Sequence, residues 1–260
     1  MKNQSYYKTN INSVKILKTR VDFISLVDAI TLVGDWVKSN KQYQITTPNP
    51  EQIVFAYDNY RFNSILNRSH LAIADGIGLI LAAKLLSFKK SFQAVKFQRL
   101  SGIDLMTALC RLAADKGWRV FLLGGKNGVV KKAAEQLVKD NKGFKLDYFS
   151  GSQNIAKETE VEKKQAIAKI NQFKPDFLFV GFGAPYQEQW IDHNLAELKV
   201  KVAMSVGGSF DYLAGKVNRS PVLLRRIGLE WFWRLLNQPW RIQRQLALIR
   251  FIFLVLTSKS

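Results

Sequence analysis

Short apolar runs alternate with amphipathic stretches along most of this chain, from about residue 15 to residue 206. The apolar runs have the length of buried strands, and the stretches between them have the apolar spacing of helices that bury one face. This alternation predicts an α/β fold, namely a Rossmann-like, mostly parallel sheet flanked by helices. The predicted strands are residues 43–46, 71–74, 119–123, 145–149, 176–181 and 201–206.

Capping residues and composition divide the chain further. Ser25, Asn49 and Ser101 each precede a helical stretch and predict helix N-caps. With 260 residues, 47% of them hydrophobic, the chain has enough apolar side chains for a sizeable core. We predict a polar N-terminal extension (1–13), an α/β domain that carries the chemistry (14–215) and a basic helical appendage (216–260).

The formal net charge is +19. A charge of this size favours an anionic partner, which is a nucleic acid, an acidic membrane surface or a phosphorylated small molecule. A nucleic-acid-binding protein would gather basic and aromatic residues on one face. Outside the C-terminal part the basic residues are spread along the chain. We therefore expect no nucleic-acid partner.

The sequence changes character after Gly215. From Asp211 onward there are nine lysines and arginines, and Glu230 is the only acid after Asp211. Pro239 is predicted to divide the segment into two helices. A basic, aromatic-rich helical pair is typical of a membrane-surface or anion-binding element, and a dimerisation helix with a solvated arginine face is the alternative. The apolar positions with helical spacing are Leu223, Leu224, Ile227, Trp231, Leu235 and Leu236.

Cellular location is indicated by three absences in the sequence. Cys110 is the single cysteine, so no disulfide can form within the chain. The first 13 residues lack the apolar core of a signal peptide. No apolar run reaches the roughly 18–20 residues that span a bilayer. We expect a cytoplasmic protein that touches the membrane from the inside.

Glycine turns follow three of the predicted strands. A strand, a glycine turn and a helix leave unpaired backbone N–H groups that can hold a diphosphate. A tight turn that binds nothing is the alternative. Leu123 stands where a dinucleotide fingerprint needs glycine, and no Walker A sequence occurs, so a nicotinamide enzyme or P-loop ATPase is not expected. The candidate binding residues in these turns are Gly124, Gly125, Gly183, Ala184, Pro185 and Gly208.

Polar residues follow the first two predicted strands of this sheet. Asp75 comes after an apolar run and before a glycine, which suits a general base, although a helix N-cap is the alternative. Thr47 and Asn49 follow the preceding strand and have side chains that can hydrogen-bond a sugar. Asn49 is equally suited to cap a helix that starts at Pro50.

Four further polar residues lie at or beyond the carboxyl ends of later strands. Asp211 is suited to bind a ribose or a base edge, or to cap the next turn. Tyr148 stands near the carboxyl end of its strand. Gln187 and Glu188 open the helix after the Gly-Ala-Pro turn. Because Glu188 complements the helix dipole, Gln187 is the better ligand candidate.

Metal and cofactor sites are not expected. The chain has no D-x-D motif, and His70 and His193 are isolated in sequence. The charge of a leaving diphosphate must then be met by helix N-termini and arginines. The candidate arginines are Arg99, Arg225, Arg234, Arg241 and Arg244.

Taken together, these segments resemble the WecG/TagA/CpsF family, also called glycosyltransferase family 26. The resemblance covers nearly the whole chain after the first dozen residues. It is carried by TPNPE (47–51), ADGIG (74–78), SGIDL (101–105), VFLLGGK (120–126), GAPYQE (183–188), VGGSFD (206–211) and GLEWFWRLLNQP (228–239).

The resemblance implies a function in the synthesis of bacterial cell-surface polysaccharides such as teichoic acid and exopolysaccharide. Family members move a sugar from a UDP-sugar to a sugar on a polyprenyl diphosphate, with inversion and without a metal. By resemblance the catalytic base is Asp75, assisted by Thr47 and Asn49. The expected sugar is N-acetylmannosamine or a related hexose, and the expected acceptor sugar is N-acetylglucosamine.

Two points stay open at this level. The alternative function is a catalytically silent UDP-sugar-binding subunit of a polysaccharide assembly complex. Self-association is possible, but no spacing in the chain decides between a monomer and a homo-oligomer.

Overall fold

The computed structural model describes residues 11–89, 97–126, 128–143, 145–226, 228–238 and 242–258. Within these ranges the side chains of residues 88, 89, 225, 226 and 242–245 are outside the description.

Eight described strands form two sheets. Six of them make one parallel sheet in the order β4-β3-β8-β7-β5-β6, and β1 and β2 form a separate antiparallel hairpin. The strands are β1 (Asn12–Ile16), β2 (Thr19–Phe23), β3 (Tyr43–Thr46), β4 (Leu71–Ala72), β5 (Arg119–Gly124), β6 (Lys145–Phe149), β7 (Phe177–Gly181) and β8 (Val202–Ser205).

Helices connect the parallel strands and cover the sheet. The described helices are α1 (Leu26–Lys38), α2 (Pro50–Asp58), α3 (Tyr60–Arg68), α4 (Ile77–Lys89), α5 (Gly102–Lys116), α6 (Val129–Asp140), α7 (Glu160–Phe173), α8 (Tyr186–Asn194), α9 (Ser209–Leu213), α10 (Val222–Arg226), α11 (Glu230–Asn237) and α12 (Ile242–Thr257). Pro239, the predicted break in the C-terminal part, lies outside the described residues.

The predicted α/β fold is confirmed, and all six predicted strands are present in the parallel sheet. Five of these strands are largely buried by the helices, whereas the edge strand β6 is largely exposed. The predicted N-caps are also confirmed, because the side chains of Ser25, Asn49 and Ser101 accept main-chain N–H groups of their helices.

The hairpin β1–β2 was not predicted. Its turn is made by Leu17 and Lys18, which both have positive φ angles, of 47° and 72°. Glycine and asparagine are the usual residues in such turns, so this sequence carries no turn signal there. The hairpin buries Val21 and Phe23 against α2, α4 and α12.

The C-terminal helix is part of this packing. Phe251 and Val255 of α12 are 2% and 3% exposed and lie in the same apolar cluster as Val21 and Leu79. The other two large clusters lie on the two faces of the sheet, under α1, α5 and α6 on one side and under α7 and α8 on the other. In the described part of the chain, no helix has the length and apolar character needed to cross a membrane.

Candidate active site

The carboxyl ends of the six parallel strands lie along one edge of the sheet. This edge holds Asp75 after β4, Thr47 after β3, Gly207 after β8, Gly183 after β7 and Gly124 after β5. The helices that follow β3 and β8 diverge, since α3, which comes directly after α2, packs on α8, whereas α9 packs on α6. Ligands of parallel sheets bind in the crevice that such a divergence opens.

Asp75 is held at this edge by the hairpin. Asp22 is 3% exposed, and its Oδ2 accepts the N–H of Ala72 at 2.8 Å, while its main-chain oxygen accepts the N–H of Ala74 at 3.2 Å. The N–H of Asp75 donates to the carbonyl of Pro48 at 2.9 Å. The main chain that leads up to and includes the catalytic candidate is therefore fixed.

The surroundings of Asp75 raise its pKa to about 6, mainly because burial disfavours the charged carboxylate. The nearby Glu230 acts in the same direction, and Arg99 and Arg234 act against it. A carboxyl with this pKa is ionised at neutral pH and can still take up a proton, as a general base requires.

Asp75 lines a cavity of about 580 Å³. Its lining contains both polar and apolar side chains. The polar lining comprises Asn49, Glu51, Asp75, Arg99, Glu230 and Arg234. The apolar lining includes Leu81 and Leu85 of α4, Trp231 of α11, and Leu248, Ile252, Val255 and Leu256 of α12.

Helix α11 brings two charged residues over the edge of the sheet. The turn before it is closely packed, because a Cβ atom on Gly228, whose φ is 81°, would stand 2.8 Å from Cγ1 of Ile77 at the start of α4. Glu230 opens α11 and forms an ion pair with Arg99. This pair holds the appendage against the cavity.

Arg234 reaches from α11 toward the turn after β8. Its guanidinium lies over the ring of Tyr212, 5.0 Å from the ring centroid. A Cβ atom on Gly208 would stand only 3.2 Å from its Nη2, so the glycine leaves room for the arginine. The Nε atom of Arg234 is buried and has no hydrogen-bond partner among the described residues. The structure therefore places this cation between Asp75 and a glycine turn.

Thr47 and Asn49 are near Asp75 but differ in access. Thr47 is 7% exposed, its Oγ1 donates to the carbonyl of Ser205 at 3.4 Å, and it packs against Gly102. Asn49 lines the cavity and caps α2, with Gln52 completing a reciprocal capping box. The cap is thus confirmed for Asn49, and catalytic roles for both residues stay predictions.

The glycines after β5 are required by packing. A Cβ atom on Gly124 would stand 2.8 Å from the main chain of Gly181, and one on Gly125 would stand 2.9 Å from the N atom of Val130. Gly183 has a φ of 86° and open space around its Cβ position. Packing alone accounts for Gly124 and Gly125, so their contact with a diphosphate stays a prediction, as it does for Gly183, Ala184, Pro185 and Gly208.

Gln187 has a structural task that the sequence did not show. It is 1% exposed, and its Oε1 accepts the N–H groups of both Gly183, at 3.2 Å, and Gly207, at 3.0 Å. The side chain therefore ties the turn after β7 to the turn after β8. These two N–H groups donate to protein, and a direct contact between Gln187 and a ligand stays a prediction.

The remaining binding candidates lie apart from the cavity or outside the description. Tyr148 lies on the edge strand β6 and is 37% exposed. Asp211 is on α9, with its Oδ2 near Gly208. Arg241 lies outside the described residues, as do the side chains of Arg225 and Arg244.

Two acidic partners were missed in the sequence. Glu230 is the only acid after Asp211, and this isolation in a basic segment was the signal that it pairs with a specific cation. Asp104 pairs with Arg219 at 2.6 Å, which fastens the start of the appendage to α5. Among the described residues, no three histidine, cysteine, aspartate or glutamate side chains are grouped as metal ligands.

The chain is similar in sequence to known proteins over most of its length. The model of the glycosyl transferase WecG/TagA/CpsF family matches residues 14–260. The N-acetylglucosaminyldiphosphoundecaprenol N-acetyl-beta-D-mannosaminyltransferase of Bacillus subtilis (strain 168) is 33% identical over 218 residues, which are 83% of this chain and 80% of the relative. A Staphylococcus aureus (strain MW2) protein of the same name is 29% identical over 254 residues, 97% of this chain and 95% of the relative. Since the matched region includes Asp75, the glycine turns and the appendage, this chain belongs to the WecG/TagA/CpsF family of glycosyl transferases.

Proposed function

We propose that this glycosyltransferase moves N-acetylmannosamine, or a related hexose, from UDP to N-acetylglucosamine carried on undecaprenyl diphosphate. The transfer inverts the anomeric centre and uses no metal ion. The names of the two relatives support this donor sugar and this acceptor.

The observation that carries the proposal is the cavity with both a polar and an apolar lining. A sugar diphosphate on a polyprenyl chain needs a polar site with cations joined to an apolar channel. The cavity joins Asp75, Arg99 and Arg234 to apolar side chains of α4 and α12 within one space. Its volume of about 580 Å³ falls within the range of small-molecule sites, roughly 300–1,000 Å³.

The chemistry is a single displacement. The Asp75 carboxylate takes the proton of the acceptor hydroxyl while that oxygen forms a bond to the anomeric carbon. The bond between the anomeric carbon and the diphosphate oxygen breaks on the opposite face, and UDP leaves with the electron pair. Attack from the face opposite to the leaving group inverts the configuration.

Arg234 stabilises the charge that develops on the leaving diphosphate. Its position beside Gly208 supports this role, since the turn after β8 is one of the candidate donor turns. A preformed cation in a partly dry site is worth more to the transition state than it would be in water. Arg99, which is held by Glu230, adds positive charge to the lining of the cavity.

The exposed apolar side chains of α12 support peripheral binding to the inner leaflet of the cytoplasmic membrane. At least half of the surface of each is exposed, and two of them, Ile252 and Leu256, also line the cavity. Such a helix face inserts at the boundary between headgroups and acyl chains. The residues are Leu246, Ile249, Ile252, Phe253 and Leu256.

The decisive experiment measures UDP release with a short-chain lipid diphosphate-linked N-acetylglucosamine acceptor across a panel of UDP-sugars. We expect turnover with UDP-N-acetylmannosamine and loss of turnover, without loss of UDP binding, in Asp75→Asn. Turnover that survives in Asp75→Asn would move the base to another residue. An absence of UDP release with every donor would contradict the proposed function.

Membrane binding has its own test, by flotation with vesicles that contain anionic lipid. Phe253→Asp places a charge on the exposed face of α12 and should reduce binding. Val27→Asp is a matched control, because Val27 is an apolar side chain on α1 that is 72% exposed. Equal binding of the two variants would contradict the assignment of α12 as the membrane-facing element.

A further inference from the structure

We propose that Glu188 is a positioning residue of the transfer reaction. It fixes the positions of the three turns after β3, β7 and β8 relative to one another, without touching substrate. The inference rests on the proposed function, because it concerns the turns that would receive the UDP part of the donor. It assigns a buried side chain that the mechanism above leaves without a role.

Glu188 lies in the first turn of α8 and is fully buried, with 0% of its surface exposed. Its Oε1 accepts two hydrogen bonds from side-chain amides, one from Nε2 of Gln52 at 3.0 Å and one from Nε2 of Gln187 at 2.8 Å. Gln52 is in the first turn of α2, so one carboxylate oxygen joins the starts of two helices.

Each of the two glutamines also accepts hydrogen bonds from main-chain N–H groups at the edge of the sheet. The Oε1 of Gln187 accepts the N–H groups of Gly183 and Gly207. The Oε1 of Gln52 accepts the N–H of Asn49 at 3.1 Å. The turn beside Asp75 and two candidate donor turns are thereby connected through a single acceptor atom of Glu188.

The direction of these hydrogen bonds explains why an acceptor is needed at this position. A glutamine amide has an oxygen end that accepts and a nitrogen end that donates. Because Glu188 accepts from the nitrogen ends, the oxygen ends of Gln52 and Gln187 must face the main-chain N–H groups. Without Glu188 either amide is free to turn, and the nitrogen end would then meet N–H donors instead.

The cost of burying Glu188 also supports a specific task. Burial raises the pKa of this carboxyl, and the opposing contributions are hydrogen bonds from neutral groups. These neutral groups are the side chains of Gln187, Ser205 and Gln52 and the main-chain N–H of Glu188 itself. A buried carboxyl in such surroundings destabilises the fold relative to an apolar side chain. An interaction with the helix dipole would be satisfied equally well by a solvated carboxylate.

The test is the binding of UDP alone, measured by calorimetry, to the full chain. Glu188→Met keeps the approximate volume and removes both acceptor oxygens. We expect its dissociation constant for UDP to rise by about tenfold, which corresponds to ~1.4 kcal/mol. A wild-type protein that fails to bind UDP would overturn the proposed function. A Glu188→Met protein that binds UDP as the wild type does would overturn only the positioning role.

Two variants separate positioning from general stability. Glu188→Gln keeps one acceptor oxygen and should keep the wild-type affinity for UDP; an affinity as low as that of Glu188→Met would contradict the role of the acceptor. Asn194→Ala removes a buried side chain that donates to the carbonyl of Trp190 at 2.7 Å, at the other end of α8. It should lower the unfolding temperature and leave UDP binding unchanged. A loss of UDP affinity in this control would count against positioning.

The connection between Glu188 and the turns can also be tested by substituting Gln187. If Glu188 acts through Gln187, then Gln187→Met lowers UDP affinity, and adding Glu188→Met to it produces little further loss. Losses that multiply in the double variant would overturn the proposal. If Glu188→Met does not fold, an unchanged UDP affinity in Gln187→Met overturns it as well.

Discussion

The two halves of the carboxyl edge are built differently. Beyond β3 and β4 the site consists of charged side chains from distant parts of the chain, with Asp75, Arg99 and Arg234 around one cavity. Beyond β5 and β7 the site consists of main-chain turns. Close packing at Gly125 and hydrogen bonds to Gln187 hold these turns in place. We propose the first half as the place of proton transfer and charge stabilisation, and the second as the scaffold for a diphosphate and its nucleoside.

This difference determines how each half should respond to substitution. A change in the charged half removes an interaction that matters most in the transition state, so turnover should fall while the fold persists. A change in the glycine half strains the main chain, so stability should fall together with donor binding.

The largest effect is expected from Asp75→Asn. Loss of a positioned proton acceptor typically costs about 10²–10⁴-fold in rate. We expect a loss of kcat in this range and an unchanged dissociation constant for UDP, measured by UDP release and calorimetry. Asp35→Asn is the control, because Asp35 is an exposed carboxylate on α1 with a surface partner, Lys38. Equal rates in the two variants would mean that the charged half does not contain the base.

The next largest effect is expected from Arg234→Met. Removing one preorganised group that stabilises transition-state charge costs about 10²-fold in kcat. The aliphatic replacement keeps contact with Tyr212 and removes the cation. Arg111→Met, an exposed arginine on α5, controls for net charge. Retention of kcat in Arg234→Met would contradict the assignment of charge stabilisation to the charged half. Only the glycine turns would then remain to stabilise the leaving group.

How far the sequence predicted this arrangement differs between the halves. Strands and glycine turns are local signals, so the six-stranded sheet and the turns at Gly124, Gly183 and Gly207 were predicted. The hairpin was missed because its turn uses Leu17 and Lys18.

Contacts between side chains that are distant in the sequence could not be predicted from the sequence. Arg99 and Glu230 are far apart in the chain, and only the packing of α11 over α4 makes them partners. The order of hydrogen bonds around Gln187 likewise depends on two turns meeting in space. Asp75 was found from its position after a strand, whereas the groups that set its pKa were not all identified.

The pH dependence of turnover should reflect the ionisation of Asp75 in the charged half. Burial and Glu230 raise the pKa of Asp75 to about 6. A base must be ionised, so kcat/KM should be constant well above pH 6 and fall by about tenfold per pH unit below it. The profile is measured with UDP release between pH 4.5 and pH 8.5. A profile that is flat through pH 6 would contradict the assignment of Asp75 as the base.

The same pKa has a consequence for stability. The ordinary pKa of the Asp75 carboxyl is 3.8 and the folded protein raises it, so ionisation of Asp75 disfavours folding above about pH 6 and has no such effect below pH 3.8. Asp75→Asn should raise the free energy of unfolding at neutral pH by up to about 3 kcal/mol, at 1.36 kcal/mol per pKa unit. The gain should vanish near pH 4. Urea denaturation at the two pH values measures it, and a variant less stable than wild type at neutral pH would contradict it.

The smallest effects should distinguish the glycine turns from each other. Both Gly125 and Gly183 have positive φ angles, of 75° and 86°, so alanine at either position costs about 1–2 kcal/mol of stability. At Gly125 the new Cβ would also stand 2.9 Å from the N atom of Val130, while at Gly183 it meets nothing within 4 Å. Overpacking adds about 1–3 kcal/mol to this cost. Urea denaturation should therefore show a larger loss of unfolding free energy for Gly125→Ala than for Gly183→Ala. Since the position of Gly183 is set by a hydrogen bond to Gln187, its alanine variant should also lower UDP affinity. Equal stability losses with equal UDP affinities would mean that packing and hydrogen bonding hold the two turns to the same degree.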